Sequence, residues 1–562
     1  MNQRLSSPPR SSRPSPLRRT RQLLALDRQD IVVIVIYGVA LGLLSLAVPV
    51  AVQSLVNTVA FGSLLQPLFV LTVLLAIALM ASAVLRALQV RIAEMLQRRL
   101  FVRIVAEIGS RLPRVSAKAL RAANGPELLN RFFDVFTTQK SVASLLLGGI
   151  DALLIALVGM MVLAFYHPLL LAFDIVLIIG AAIVLIPLGR GGTKTSVQES
   201  KAKYAVAGWL EEMARHPLSF KLAGGAEFAT ARVEELARSY LHDRDRHFRV
   251  VFRQLIGALT IEVVASVALL ALGGLLVIER QLSIGQLVAA ELIVTAVVAS
   301  IAKLGGKVEI FYDLVAAVDK LGEILDLPME RPTGESPPRE TEMRGNLRVR
   351  DLEVEALADA EPLRVSFDLR PSHWLALTGE SETVTTNLVD AIFGLSPIRA
   401  GLVEIEGHDA RDLTLRGLRS RISVVRGAEI LPGSVADNLR AANAELTADQ
   451  AWAVLRRVNL EAPIKSLPKG LQTELFPDGE PLSRSQAMSL TIARALAGKP
   501  SVLVFDRTLD RFSPRKRGQL LDALLSERDL SVLLITDEPE VLARADEHIE
   551  LPGSTGTRGE AA

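Results

Sequence analysis

The chain contains no cysteine, which excludes disulfide cross-links, thiolate nucleophiles and cysteine-ligated zinc. Aromatic residues make up only 5% of it, and its 7 histidines show no metal-ligand spacing. Net charge is only +2 over 562 residues, so the whole-chain balance does not point to a nucleic-acid partner. Charge is also missing locally. From Ile31 to Leu85 there is no Asp, Glu, Lys or Arg. One membrane helix needs about 20 such residues. The run therefore holds two spans, near 31–56 and 67–90, divided by the polar break Gln53, Asn57, Gly62, Gln66 and Pro67. A buried soluble helix pair is the competing reading, but core helices rarely run this long without charge.

Apolar residues, by contrast, make up 50% of the chain, and the mean hydropathy is +0.34, which soluble enzymes rarely show. The length calls for two or more domains. Further apolar runs near 142–166, 169–190, 254–278 and 284–307 bring the predicted spans to six. Short loops follow the first, third and fifth, whereas long polar segments follow the second and fourth. The first long segment carries Arg91, Arg98, Arg99, Arg103, Arg111, Arg114, Lys118 and Arg121. The positive-inside rule places it, and both chain ends, in the cytoplasm. Both segments read as helical, so the spans are expected to continue past the bilayer.

Residues 1–22, rich in Arg, Ser and Pro, read as a basic disordered tail flanking the first span. They lack the apolar core and cleavage site of a signal peptide. Asp174, Glu262, Glu291 and Lys303 are ionisable groups inside the spans, where charge is costly. They either line a pathway or pair across helices, or, for Asp174, sit near the interface. Residues 23–324 thus form an all-α membrane domain, and 325–345 have the Pro- and Glu-rich composition of a linker. From 346 to 551 short β-like runs alternate with helical ones, an α/β pattern, and 552–562 form a frayed tail.

The α/β region holds the informative motifs. Gly479–Asp506 reads GEPLSRSQAMSLTIARALAGKPSVLVFD. A helix opens at Leu482-Ser483-Arg484-Ser485-Gln486, stops at Lys499-Pro500, and is followed by the apolar strand Val502–Phe505 ending in Asp506. This stretch resembles the LSGGQ signature, ARAL helix and Walker B strand of an ATP-binding-cassette (ABC) nucleotide-binding domain. Upstream, the strand His373–Thr378 leads into Gly379-Glu380-Ser381-Glu382-Thr383-Val384-Thr385-Thr386. A P-loop reads G-x-x-x-x-G-K-[ST], with backbone amides and a lysine on the phosphates and a hydroxyl on magnesium. Gly379 and Thr386 fit, but Val384 and Thr385 stand where Gly and Lys belong, and Glu382 replaces a further glycine usual in the family. One charge at about 4 Å is worth roughly 4 kcal/mol at an effective dielectric near 20, so losing Lys and gaining Glu382 weakens ATP binding by orders of magnitude.

Gly401–Asp409, Leu431–Leu439 and Leu467–Thr473 match the family's scaffold elements, as do Asn124–Asp134 beside the first coupling helix and Leu282–Ala290 before the sixth span. Phe220-Lys221 and Glu227–Arg238 fall where the second coupling helix is expected. Val349–Glu361 offers no adenine-stacking aromatic, and Val425-Arg426-Gly427 stands where V-P-Q is usual. Both signature glycines are replaced, by Arg484 and Ser485.

The resemblance implies an exporter-type half-transporter: six transmembrane helices with long cytoplasmic extensions, then an α/β P-loop NTPase (ABC) domain. It further implies ATP and Mg2+ as cofactors. Gly379, Ser381, Thr383, Thr385 and Thr386 would face the phosphates, Ser483, Arg484 and Gln486 the nucleotide of the opposite subunit, and Thr386 and Asp506 the metal. Arg507 takes the position of the catalytic Glu and Asp537 that of the switch His, so no catalytic residue is intact. A guanidinium cannot act as a general base. Arg507 either fills a dead pocket as an ion pair with Asp506 or Asp537 or, with Arg484, engages ATP held by a partner.

Such chains work as dimers in the lipid bilayer of the inner (cytoplasmic) membrane. Here the chain is expected to be the catalytically impaired member of a pair whose other half-transporter hydrolyses ATP. A homodimeric, non-hydrolysing scaffold, regulator or passive channel is the alternative. The membrane half resembles exporters of type I secretion, which work with a periplasmic membrane-fusion adaptor. No peptidase domain precedes the first span, and no nucleic-acid partner is expected.

Overall fold

The computed structural model describes residues 15–25, 27–60, 65–122, 128, 130–336, 343–355, 362–379, 381–525 and 530–551. The first fourteen residues of the tail, Asn124–Glu127 and Leu129 of the coupling element, part of the linker and of the Val349–Glu361 stretch, Glu380 and the last eleven residues lie outside these. The chain forms two compact units. One comprises Met1–Arg114 and Leu120–Leu327, the other Val115–Ala119 and Pro328–Ala562.

Among the described residues of the first unit, six helices are long and apolar enough to cross a membrane. The second, fifth and sixth are Leu65–Arg111, Gly225–Ile278 and Ile284–Leu325, of 47, 54 and 42 residues. At 1.5 Å per residue they run roughly 60–80 Å, about twice the ~30 Å hydrocarbon core, so each extends well beyond the bilayer. Apolar side chains on the second span turn outward, Phe69 72% exposed and Met80 67%, as lipid-facing positions require. Residues Pro16–Ala25, the first seven of which composition assigns to the disordered tail, form a helix instead. Its Arg19 pairs with Asp326, giving a basic segment a fixed partner that composition cannot reveal.

Polar cross-links tie the extensions together. Arg131 pairs with Glu323, and Tyr204 donates to Asp134 at 2.8 Å. The short helix Pro217–Phe220 turns the chain between two long ones, with Trp209 packed edge-on against Phe220 and Phe228. Of the ionisable residues within the spans, Asp174 is buried among the apolar residues of the fourth span, and neither of its carboxylate oxygens has a hydrogen-bond partner. Glu291 is half-buried with one unpartnered oxygen, while Glu262 and Lys303 are exposed.

The second unit is α/β. Strands β1 (Leu347–Val354), β2 (Leu363–Leu369), β4 (Leu402–Ile405) and β5 (His408–Asp409) form an antiparallel sheet in the order β2-β1-β4-β5. Strands β3 (Trp374–Thr378), β6 (Ile422–Val425), β9 (Val502–Asp506), β10 (Ser531–Ile535) and β11 (Glu547–Glu550) form a parallel sheet in the order β11-β3-β10-β9-β6. Between them in sequence, β7 (Gly433–Ser434) and β8 (Glu474–Leu475) pair separately.

Both faces of the parallel sheet are covered. Leu503 and Phe505 of β9 pack into a core shared with the helical lobe, while Val502 and Val504 pack towards the antiparallel sheet. This is why β9 reads as an unbroken apolar run rather than an alternating one. The segment Pro328–Ser336, whose composition reads as linker, is strapped along the unit. Glu330 pairs with Arg419 at 2.6 Å, Arg331 donates to the carbonyls of Arg411 and Leu413, and Thr414 N donates to the Glu335 carbonyl at 2.8 Å. Apart from the ion pair, those contacts use backbone acceptors that composition does not show.

Candidate nucleotide site

The register of the parallel sheet gathers the candidate residues at one edge. Leu377 of β3 lies level with Ile535 of β10, and Ile535 with Asp506 of β9. The carboxyl ends of three neighbouring strands therefore deliver Gly379, Asp506-Arg507 and Asp537 side by side, the usual ligand edge of an open α/β sheet. After β3 the chain passes Gly379 and enters the helix Glu382–Ile392, the P-loop helix. Ser381 caps it by accepting from Val384 N at 3.4 Å. Glu382 and Thr383 are exposed in its first turn, and Thr386 is half-buried.

At the lysine position Thr385 is fully buried, and its hydroxyl donates to the Glu382 carbonyl at 3.0 Å. It offers neither charge nor reach. At the metal position, Asp506 is only 3% exposed, and its Oδ2 accepts from Arg426 Nε at 2.6 Å. The same guanidinium donates to Asp390 Oδ1 at 2.8 Å and to the Thr386 carbonyl at 3.3 Å. Burial by itself lowers the Arg426 pKa, but Asp390 and Asp506 together hold it above its ordinary value. Sequence reasoning quoted Arg426 within Val425-Arg426-Gly427 and gave it no role. The readable signal was a long cation, one position before the expected glutamine, at the end of the strand that pairs with β9.

Arg507 sits in the left-handed region at φ 48°, an uncommon place for a non-glycine residue. Its backbone N donates to Ile535 O at 2.9 Å. Its side chain donates to Asp537 at 2.8 Å and to the Gly379 carbonyl at 3.1 Å. Of the two partners expected for Arg507, the geometry selects Asp537, because Asp506 is taken by Arg426. The positions of the catalytic Glu and the switch His thus form a strut across the P-loop. Behind it Thr508 is fully buried and donates to the Val425 carbonyl at 2.6 Å, and Thr536 bonds Asp510. Burial raises the Asp510 carboxyl above its ordinary value.

These residues do not fit a magnesium–phosphate complex. Of the side chains that would ligate the metal, Asp506 is already taken by Arg426, Thr385 offers no cation to the phosphates, and Arg507 spans the loop. The signature end is different. Ser483 caps the helix Arg484–Ala497, the signature helix, in a reciprocal box: its N donates to Gln486 Oε1 at 2.8 Å, and its Oγ accepts from Gln486 N at 3.4 Å. Lys516 donates to Ser485 Oγ at 2.5 Å, while Ser483 and Arg484 are exposed. Gln486 therefore serves the cap, and Arg484 points into solvent.

Among the described residues, one unit thus carries six helices long and apolar enough to cross a membrane, and the other brings Gly379, Asp506 and Asp537 together at one edge of a parallel sheet. The family model described as "ABC transporter" matches residues 363–509. An ATP-dependent lipid A-core flippase of Francisella novicida is 29% identical over 236 residues, 41% of this chain and 39% of that protein. A fatty acid ABC transporter ATP-binding/permease protein of Mycobacterium bovis is 26% identical over 227 residues, 40% of this chain and 36% of its own length. The chain thus spans about two fifths of the length of the curated relatives it matches. Among solved structures, a bacterial Atm1-family ABC exporter with ATP bound superposes with a TM-score of 0.83 at 17% identity, covering 94% of both chains. The family match is confined to residues 363–509, and over nearly its whole length the chain has the fold of that exporter.

Proposed function

We propose that this chain is one half of an exporter-type ABC transporter and works as the non-hydrolysing member of a pair. The observation that carries this reading is the contrast within one cassette: the P-loop side is closed by Arg426 and Arg507, and the signature side is open. In a shared site, ATP would lie on the P-loop of an intact partner and face Ser483 and Arg484 of this chain. An exposed Arg484 suits a polyanion held from the other side. The membrane unit supports export across a bilayer, and the names of the relatives make a lipid or lipid-like cargo the first to assay. Residence in the inner membrane with both termini cytoplasmic follows from the basic segment after the second span. A periplasmic adaptor remains part of the proposal on resemblance alone.

The test is ATP hydrolysis by the full chain in lipid nanodiscs, alone and assembled with an intact half-transporter from the same source. Turnover is expected only in the assembly, and Arg484→Ala is expected to lower it. Robust turnover by this chain alone would overturn the reading. Stable homodimers that neither hydrolyse ATP nor accept an intact partner would favour the scaffold or channel instead.

A further inference from the structure

The Asp506 carboxylate, the Asp390 carboxylate and the Thr386 carbonyl surround one guanidinium, each on a different nitrogen, and the two carboxylates are almost wholly buried. Buried carboxylate and carbonyl oxygens gathered around one cation are also the donor types that a hard divalent cation takes. Here the place is held by Arg426, at 2.6, 2.8 and 3.3 Å. We propose that Arg426 is the resident cation of this cassette: its guanidinium takes the place of the divalent metal, so the lobe keeps a countercharge beside its buried carboxylates and its strands fastened without metal or nucleotide.

Three features of the geometry bear on this. First, the site carries its own cation. Two buried carboxylates face one guanidinium, and a guanidinium does not deprotonate in proteins, so the site never waits for an ion from solution. Second, Arg426 joins three separate pieces of chain: the loop after β6, the end of β9, and the P-loop helix. A bound metal would tie only those pieces that reach it while it is bound, whereas Arg426 ties them permanently. Third, Arg507 closes the adjoining position by its bonds to Asp537 and the Gly379 carbonyl, so both ends of the P-loop are held by arginine. The cassette is thereby fixed in one internal arrangement. Nucleotide held elsewhere can dock against it, but its own P-loop does not have to be filled first.

This inference rests on the reading of the cassette as non-hydrolysing, and the experiment separates the two. The full chain in nanodiscs is titrated with Mn2+, with binding read by electron paramagnetic resonance and thermal unfolding followed in parallel. Wild type is expected to bind no Mn2+ at the cassette and to unfold at the same temperature with Mn2+, with magnesium and ATP, or with EDTA. Arg426→Gln vacates the oxygen set. It is expected to unfold at lower temperature, to gain one Mn2+ per chain, and to recover stability when that ion is added. A merely structural arginine would not produce that recovery. Adding Asp506→Asn to Arg426→Gln should abolish the new Mn2+ signal.

Wild-type Mn2+ binding that Asp506→Asn removes would overturn the proposal, even if no ATP is hydrolysed. Failure of Arg426→Gln to acquire Mn2+ would overturn it too. Should that variant not fold, the wild-type and Asp506→Asn titrations decide alone. Hydrolysis by wild type would instead overturn the functional reading.

Discussion

The two helices that frame the nucleotide site start alike and end up in different situations. The P-loop helix and the signature helix both begin at a serine N-cap, Ser381 and Ser483, and both present an N-terminus suited to an anion. At the first, the surroundings are engaged from within: Thr385 bonds backwards, Arg426 holds Asp506 and Asp390, and Arg507 reaches the Gly379 carbonyl. At the second, a capping box orders the turn, and the surface beyond it is free. One end looks inward and the other outward.

The largest effect should come from breaking the inward side. Arg426→Ala leaves two buried carboxylates without their cation, and removing one partner of a buried ion pair typically costs about 3–5 kcal/mol. Chemical denaturation of the full chain, followed by a probe in the cassette, should show a loss of that order; a loss under about 1 kcal/mol would mean the pair is not what holds this edge. Repairing the P-loop alone should do little. Val384→Gly with Thr385→Lys is expected to leave ATP dissociation constants above about 1 mM. Adding Arg426→Gln to that pair should tighten binding at least about tenfold, or ~1.4 kcal/mol, measured by calorimetry.

On the outward side, Ser483→Ala removes the cap and should cost about 1 kcal/mol of stability. It should cost far less than Arg426→Ala, and the reverse ranking would invert the comparison. Arg507→Ala is expected to cost about 1 kcal/mol or less, because Asp537 is 55% exposed and a pair with an exposed partner contributes little. The smallest effect concerns Asp510. Its folded pKa is raised by burial, so its contribution is fully present below the unfolded value of about 4 and is lost as pH rises through the folded value. Asp510→Asn should match wild type near pH 4 and gain on it towards pH 7, by about 1 kcal/mol or less, in pH-dependent thermal unfolding.

Much of the fold was readable because it rests on signals that local chemistry writes into the chain. The charge-free run Ile31–Leu85 cannot belong to a small soluble core, and Val502–Phe505 before Asp506 can only be a strand buried on both faces. The serine at position 483 followed by glutamine three residues later announces a helix start. What could not be read was partnership. Arg426 lies 80 positions from Asp506 and 36 from Asp390 in sequence, and only the parallel pairing of β6 with β9 brings it within reach. Arg507 had two carboxylates within plausible reach, and the choice of Asp537 depended on the other being occupied. Pro328–Ser336 looked like a spacer because most of its contacts are to backbone carbonyls, which every sequence possesses equally, and its ion pair, Glu330 with Arg419, spans 89 positions.

By itself, then, the amino-acid sequence determined six long apolar spans followed by an α/β unit, and it set Val384, Thr385, Arg507 and Asp537 at positions where the cassettes it resembles carry other residues. Periodicity, caps and absent charge are properties of neighbouring residues, so they survive without coordinates. Only the tertiary structure decided which of these residues are joined to one another: Arg426 to Asp506 and Asp390, and Arg507 to Asp537. Whether a charge is stranded or satisfied depends on distances across strands and on burial, and those exist only once the sheet has formed.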